Sequence, residues 1–170
     1  MGWEKNVFFV LAAACLALCA GCGKDGRLTA FHEEMDLFYD GLTDSVSALE
    51  AIEPSDENAG EAVQEQLEEM SGLFDQLAAI EVPPKMEERV GNVDELADDA
   101  AAYMEEASRL YRIALEDGGA GGPALNAARE NYTRAMEQVN YIAVLLQGRI
   151  PEGEGVTVIA EEEETAVSSS

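Results

Sequence analysis

The sequence predicts an all-α protein, an up-down-up-down antiparallel four-helix bundle over residues 28–150 with a disordered acidic C-terminal tail. Three observations carry that prediction. Apolar residues recur at spacings of three and four through four successive stretches, which gives each helix one buried stripe. Every proline stands between or beyond those stretches, never inside one. A single short segment, Val156–Ile159, has strand character, and no second strand exists to pair with it.

The first helix is expected from Leu28 to Ile52, with Phe31, Met35, Phe38, Leu42, Val46 and Leu49 on its stripe. Glu33, Glu34, Asp36, Asp40 and Asp44 fall mostly outside that stripe. Pro54 ends the helix, and Ser55 or Asp56 is placed to cap the next one. The second helix is expected from about Asp56 to Ile80, striped by Val63, Leu67, Met70, Phe74 and Leu77. Glu57, Glu61 and Glu65 crowd its first half, where acids interact favourably with the helix macrodipole. Val82-Pro83-Pro84 stops it.

The third helix is expected from Pro84 to Glu116, on a stripe running through Met86, Val90, Val93, Leu96 or Ala97, Ala100, Tyr103, Ala107, Leu110 and Ala114. Its alanines form a thin surface against which a neighbour can pack closely. Gly118 to Gly122 form a hinge; with no preceding strand and no following Lys-Ser or Lys-Thr, they are no phosphate cradle. Pro123 opens the fourth helix, whose heptads are the cleanest: Leu125, Ala128, Tyr132, Ala135, Val139, Ile142 and Leu146. Short connections make sequential helices antiparallel. The first and third turns therefore share one end, and the second lies at the other. Residues 151–170 lose all periodicity and end in Glu161–Glu164 and Ser168–Ser170, the pattern of a disordered acidic tail.

The first 22 residues carry an address. Val7 to Ala20 are apolar without a break, shorter than the roughly 20 residues a bilayer-spanning helix needs. Lys5 precedes this run, and Ala20-Gly21-Cys22 follows it before an abrupt change to polar residues at Gly23-Lys24-Asp25. The arrangement resembles the lipobox of bacterial lipoproteins. That resemblance implies a signal peptide at 1–21, removed in the mature chain, and a covalent diacylglycerol or acyl (palmitate-type) lipid on Cys22. Residues 22–27 then become the lipidated cysteine and a short tether. It also implies a membrane-anchored protein on the extracytoplasmic face of the bacterial envelope. The sequence departs from the family pattern at one place: Cys19 stands three positions before Cys22, where the family has Leu, and Leu18 is one position earlier. Cys19 is the alternative lipid site, but Leu18 is too large for the position before the cut, which favours Cys22. The mature domain resembles no family.

Thirty-five acidic residues against ten basic ones give a formal net charge of −25. Nucleic acid is excluded as a partner, because binding it requires clustered Lys and Arg to displace counterions. Cys15 and Cys19 leave with the signal, so no disulfide and no thiolate metal site is expected. His32 is the single histidine; residue 29 is Thr, so the Glu-x-x-His pair of a di-iron bundle is missing. His32 is expected at the surface, and no metal or cofactor beyond the lipid is expected. Ser45, Ser47 and Ser108 have no histidine apparatus to activate them, and the chain is read as non-enzymatic. Tyr111, Arg112, Tyr132 and Arg134 are the candidate ligand-binding residues, with Tyr103 and Arg109 nearby. Rings and guanidinium groups together can line a groove for an acidic or aromatic ligand; packing plus local neutralisation of acids is the competing account. The expected function is recognition of another envelope protein or component. The alternative is a small-ligand or cation-binding accessory protein of a transporter or sensor.

Overall fold

A computed structural model describes residues 26–84, 86–87, 92–117 and 122–148. Four helices, α1 (Gly26–Ala51), α2 (Ala59–Ala78), α3 (Val93–Glu116) and α4 (Pro123–Leu146), pack as an antiparallel bundle. At about 1.5 Å per residue, the 26 residues of α1 extend roughly 39 Å. No described residue lies in a β-strand, and no described helix is long and apolar enough to cross a membrane. The expected signal peptide, Cys22 and the acidic tail lie outside the described residues.

Pairwise contacts fix the directions. Phe38 of α1 meets Phe74 of α2 edge to face, with ring centroids 5.6 Å apart. Three residues on, Gly41 faces Leu73. Gly60, at the start of α2, faces Leu115, at the end of α3. Arg134 of α4 lies over the Tyr103 ring of α3, 5.7 Å from its centroid. The connections α1–α2 and α3–α4 therefore share one end of the bundle, and the α2–α3 connection shares the other with the N-terminus of α1.

The core forms from the predicted stripes. Phe31, Met35, Phe38 and Leu42 of α1 meet Leu67, Met70, Phe74 and Leu77 of α2, with Ala135, Val139 and Ile142 of α4 closing the far side. Full burial of such a Leu, Phe or Met contributes roughly 1.5–3 kcal/mol. Met35, Met70, Met86 and Met104 are all buried and fill the core. Residue size sets the spacing. Ala100, Ala107, Ala128 and Ala135 bring α3 and α4 into the longest close backbone approach, whereas large side chains hold α1 farther from α2.

Three expectations need correction. The third helix begins at Val93 instead of Pro84. At Pro84 the chain is helical, and the Pro83 carbonyl accepts from the amides of Met86 and Glu87. Asn92, immediately before α3, is non-helical (φ −70°, ψ 49°). Asn92 Nδ2 also donates to Glu95 Oε2 at 3.4 Å. Asn followed three residues later by Glu marks a helix start, and here that local signal overrides the continuous stripe. Second, neither Ser55 nor Asp56 caps α2. Two successive turns, Asp56 N–H to Glu53 O and Ala59 N–H to Asp56 O, delay the helix to Ala59, with Asn58 at the cap position. Third, the buried stripe of α3 passes through Met104 and Ser108, while Tyr103 and Leu110 are only partly buried. The expected Val93, Leu96, Ala97, Ala100, Ala107 and Ala114 are buried, and a helix flanked by α2 on one side and α4 on the other also buries Met104 and Ser108 on the face between them.

Gly148 closes α4. Its φ of +70° lies in the left-handed region that glycine adopts without strain, and its amide donates to the Leu145 carbonyl.

Candidate functional site

The bundle end shared by the α1–α2 and α3–α4 connections brings the candidate residues into one half of the molecule, on separate seams. Arg112 lies on the α2–α3 seam, where Nη2 donates to Glu68 Oε1 at 3.0 Å. The same carboxylate oxygen accepts from Gln64 Nε2 at 2.8 Å. Gln64 Nε2 also reaches Ser108 Oγ at 3.3 Å. Ser108 is 4% exposed, so this chain of contacts ties a buried hydroxyl to a surface guanidinium. Gln64 Oε1 is buried without a partner. The opposite amide orientation would set that oxygen against the Glu68 carboxylate, which favours the observed one.

Arg134 lies on the α3–α4 seam. It pairs with Glu130 one turn back along α4 and covers the Tyr103 ring, a cation–π contact between helices. Arg109 grips Glu106 through two bonds of 2.6 Å, one from Nε and one from Nη2. Those hydrogen bonds, more than the burial that opposes them, hold the Glu106 carboxyl below its ordinary value. Three of the arginines are thus already held by carboxylates.

Tyr111 and Tyr132 are both partly buried. Burial raises the Tyr111 hydroxyl above the ordinary 10.0, and the nearby Arg129 opposes the rise. Burial also raises Tyr132, and there the neighbouring charge, Glu50 of α1, adds to the shift. Tyr111 and Tyr132 therefore answer to different neighbours. Both hydroxyls stay protonated at neutral pH, able to donate a hydrogen bond and unable to serve as a base. The set presents ring edges and guanidinium groups already paired with carboxylates.

His32 departs from its expected surface position. It is half-buried beside Phe31, at 5.8 Å between ring centroids, and its Nδ1 is buried without a partner. Among the described residues no three His, Cys, Asp or Glu side chains converge as a metal-holding group. The Gln64–Ser108–Glu68 chain escapes sequence reasoning, because residues 44 apart become neighbours only through the pairing of α2 with α3. Comparison with known protein families, curated proteins and solved structures yields no match.

Proposed function

We propose that this is a lipid-anchored, extracytoplasmic helical bundle that recognises another envelope protein or component and catalyses no reaction. The supporting observation is the position of α1. It begins at Gly26, four residues after Cys22, and four extended residues span at most about 14 Å. A lipid on Cys22 therefore holds the α1 N-terminus and the α2–α3 connection against the bilayer. The opposite end, with its exposed Glu53–Asn58 turn, stands farthest from the membrane and is the contact surface. Close packing along Ala100 and Ala107 favours this reading over a bundle hollowed for a small ligand.

Two measurements test it. Cys22→Ala, expressed in a bacterium fed labelled palmitate, should accumulate as uncut precursor without label; unchanged labelling would move the lipid to Cys19, and an unlabelled unaltered chain would remove the anchor altogether. A photo-reactive side chain at Ser55 should crosslink one recurrent envelope component in cells, whereas the same group at Asp75, on the flank of α2, should not. Equal yields from both positions would defeat the assignment of the contact surface.

A further inference from the structure

At the opposite end of the bundle, the first turns of α1 and the chain leaving α2 form a shallow dent of about 120 Å³, open to solvent. Arg27, Ala30, Phe31, Glu34, Glu81 and Pro83 line it. Phe31 and Pro83 are buried and form an apolar floor, while Arg27, Glu34 and Glu81 are exposed around the rim. Among the described residues none of these three charges is ion-paired, in contrast to Arg109, Arg112 and Arg134. One free cation and two free carboxylates thus surround a small apolar floor.

We propose that this dent seats the headgroup of a zwitterionic phospholipid, one that carries a phosphate and a primary ammonium. Arg27 takes the phosphate, and Glu34 and Glu81 take the ammonium. The inference rests on Cys22 bearing the lipid anchor. Arg27 is five residues from Cys22, so the dent stands at headgroup level whenever the anchor is inserted. Charge selects the lipid class. A chain of net charge −25 is repelled by an anionic leaflet, and two carboxylates beside the phosphate seat make an anionic headgroup unfavourable here. An ammonium on the same headgroup turns that repulsion into attraction.

The test uses the full mature chain in nanodiscs containing equal phosphatidylethanolamine and phosphatidylglycerol, with native mass spectrometry of the lipids that stay bound. Phosphatidylethanolamine should be retained on the order of fivefold over phosphatidylglycerol, the factor that corresponds to one charge near a membrane surface. Glu34→Gln combined with Glu81→Gln should bring the ratio to unity, and Arg27→Gln should lower retention of both lipids. All three side chains are exposed, so folding is preserved. Equal retention by the unaltered chain, or an unchanged ratio in the double variant, would overturn the headgroup seat. The intact mass of the same sample reports whether Cys22 carries its lipid, which separates failure of the seat from failure of the anchor. For a chain without that lipid, titration with glycerophosphoethanolamine against glycerophosphoglycerol, read at the Ala30 and Phe31 amides, tests the seat independently of the anchor. Selective shifts support the seat, and equal or absent shifts reject it.

Discussion

At the scale of single residues, the bundle's glycines separate by what surrounds them. A Cβ on Gly72 would meet nothing within 4 Å, whereas one on Gly60 would come within 2.6 Å of Leu115 Cδ2. Gly72→Ala should therefore raise stability by about 0.5–1 kcal/mol through helix propensity alone. Gly60→Val, which adds a branched side chain against Leu115, should lower it by roughly 1–3 kcal/mol. Urea midpoints of the two variants read both effects, and a stabilised Gly60→Val would show that the α2–α3 contact is loose. The tyrosines make a prediction in pH. Tyr111 and Tyr132 have folded-state values raised above 10.0, first by burial. Their contribution to stability is complete below the unfolded value and is lost as pH rises through the folded one. Stability should fall on the alkaline side of pH 10, and Tyr132→Phe should flatten that fall. Denaturation midpoints between about pH 8 and 11, with tyrosinate absorbance followed in parallel, check it; an unaltered alkaline slope in Tyr132→Phe would rule out Tyr132 as a source.

At the scale of elements, the bundle has a tight half and a wide half. Ala100, Ala107 and Ala135 are fully buried where α3 meets α4, and a close-packed interior punishes added volume there. Ala135→Leu should cost about 1–3 kcal/mol, while Phe74→Ala in the wide half should cost about 3–5 kcal/mol by leaving a cavity. If Ala135→Leu proved neutral under the same urea titration, the close approach of α3 and α4 would be wrong. The same scale explains which element boundaries were legible. Pro123 and Gly122 mark the start of α4, and the helix opens there. Asn92-Val93-Asp94-Glu95 marks the start of α3 just as plainly. The apolar stripe running on from Met86 and Val90 hides it, because periodicity continues across a break that only backbone dihedrals reveal.

At the scale of the whole molecule, charge is unevenly shared. α4 carries Arg129 and Arg134 against Glu130 and Glu137 and is formally neutral. α1 and α2 hold long runs of acids with almost no cation among them. Folding brings those runs together, so self-repulsion opposes the bundle and salt should relieve it. Raising ionic strength from about 0.01 M to 0.15 M shortens the screening length from roughly 30 Å to 8 Å. The thermal midpoint should rise over that range. A constant or falling midpoint would mean that the acids are too far apart to repel. Sulfate should be avoided in that titration, since it strengthens apolar burial independently of charge.

Helix count, the core stripes of α1 and α2 and the antiparallel order could be read from the chain before it folds. Each follows from local periodicity, punctuation by proline and glycine, and connections too short to allow another path. Phe31, Met35, Phe38, Leu42, Met70 and Phe74 could be named as core from spacing alone, because a helix turns the same angle at every residue whatever surrounds it. The choice of neighbours emerges only on packing. Arg112 meets Glu68, Gln64 meets Ser108, Tyr132 senses Glu50, and Arg27 shares a dent with Glu81. Those pairs join residues from different parts of the bundle, and their proximity depends on the rotation and spacing of each helix. The volumes of alanines, leucines and phenylalanines set that rotation and spacing collectively, which no local pattern encodes.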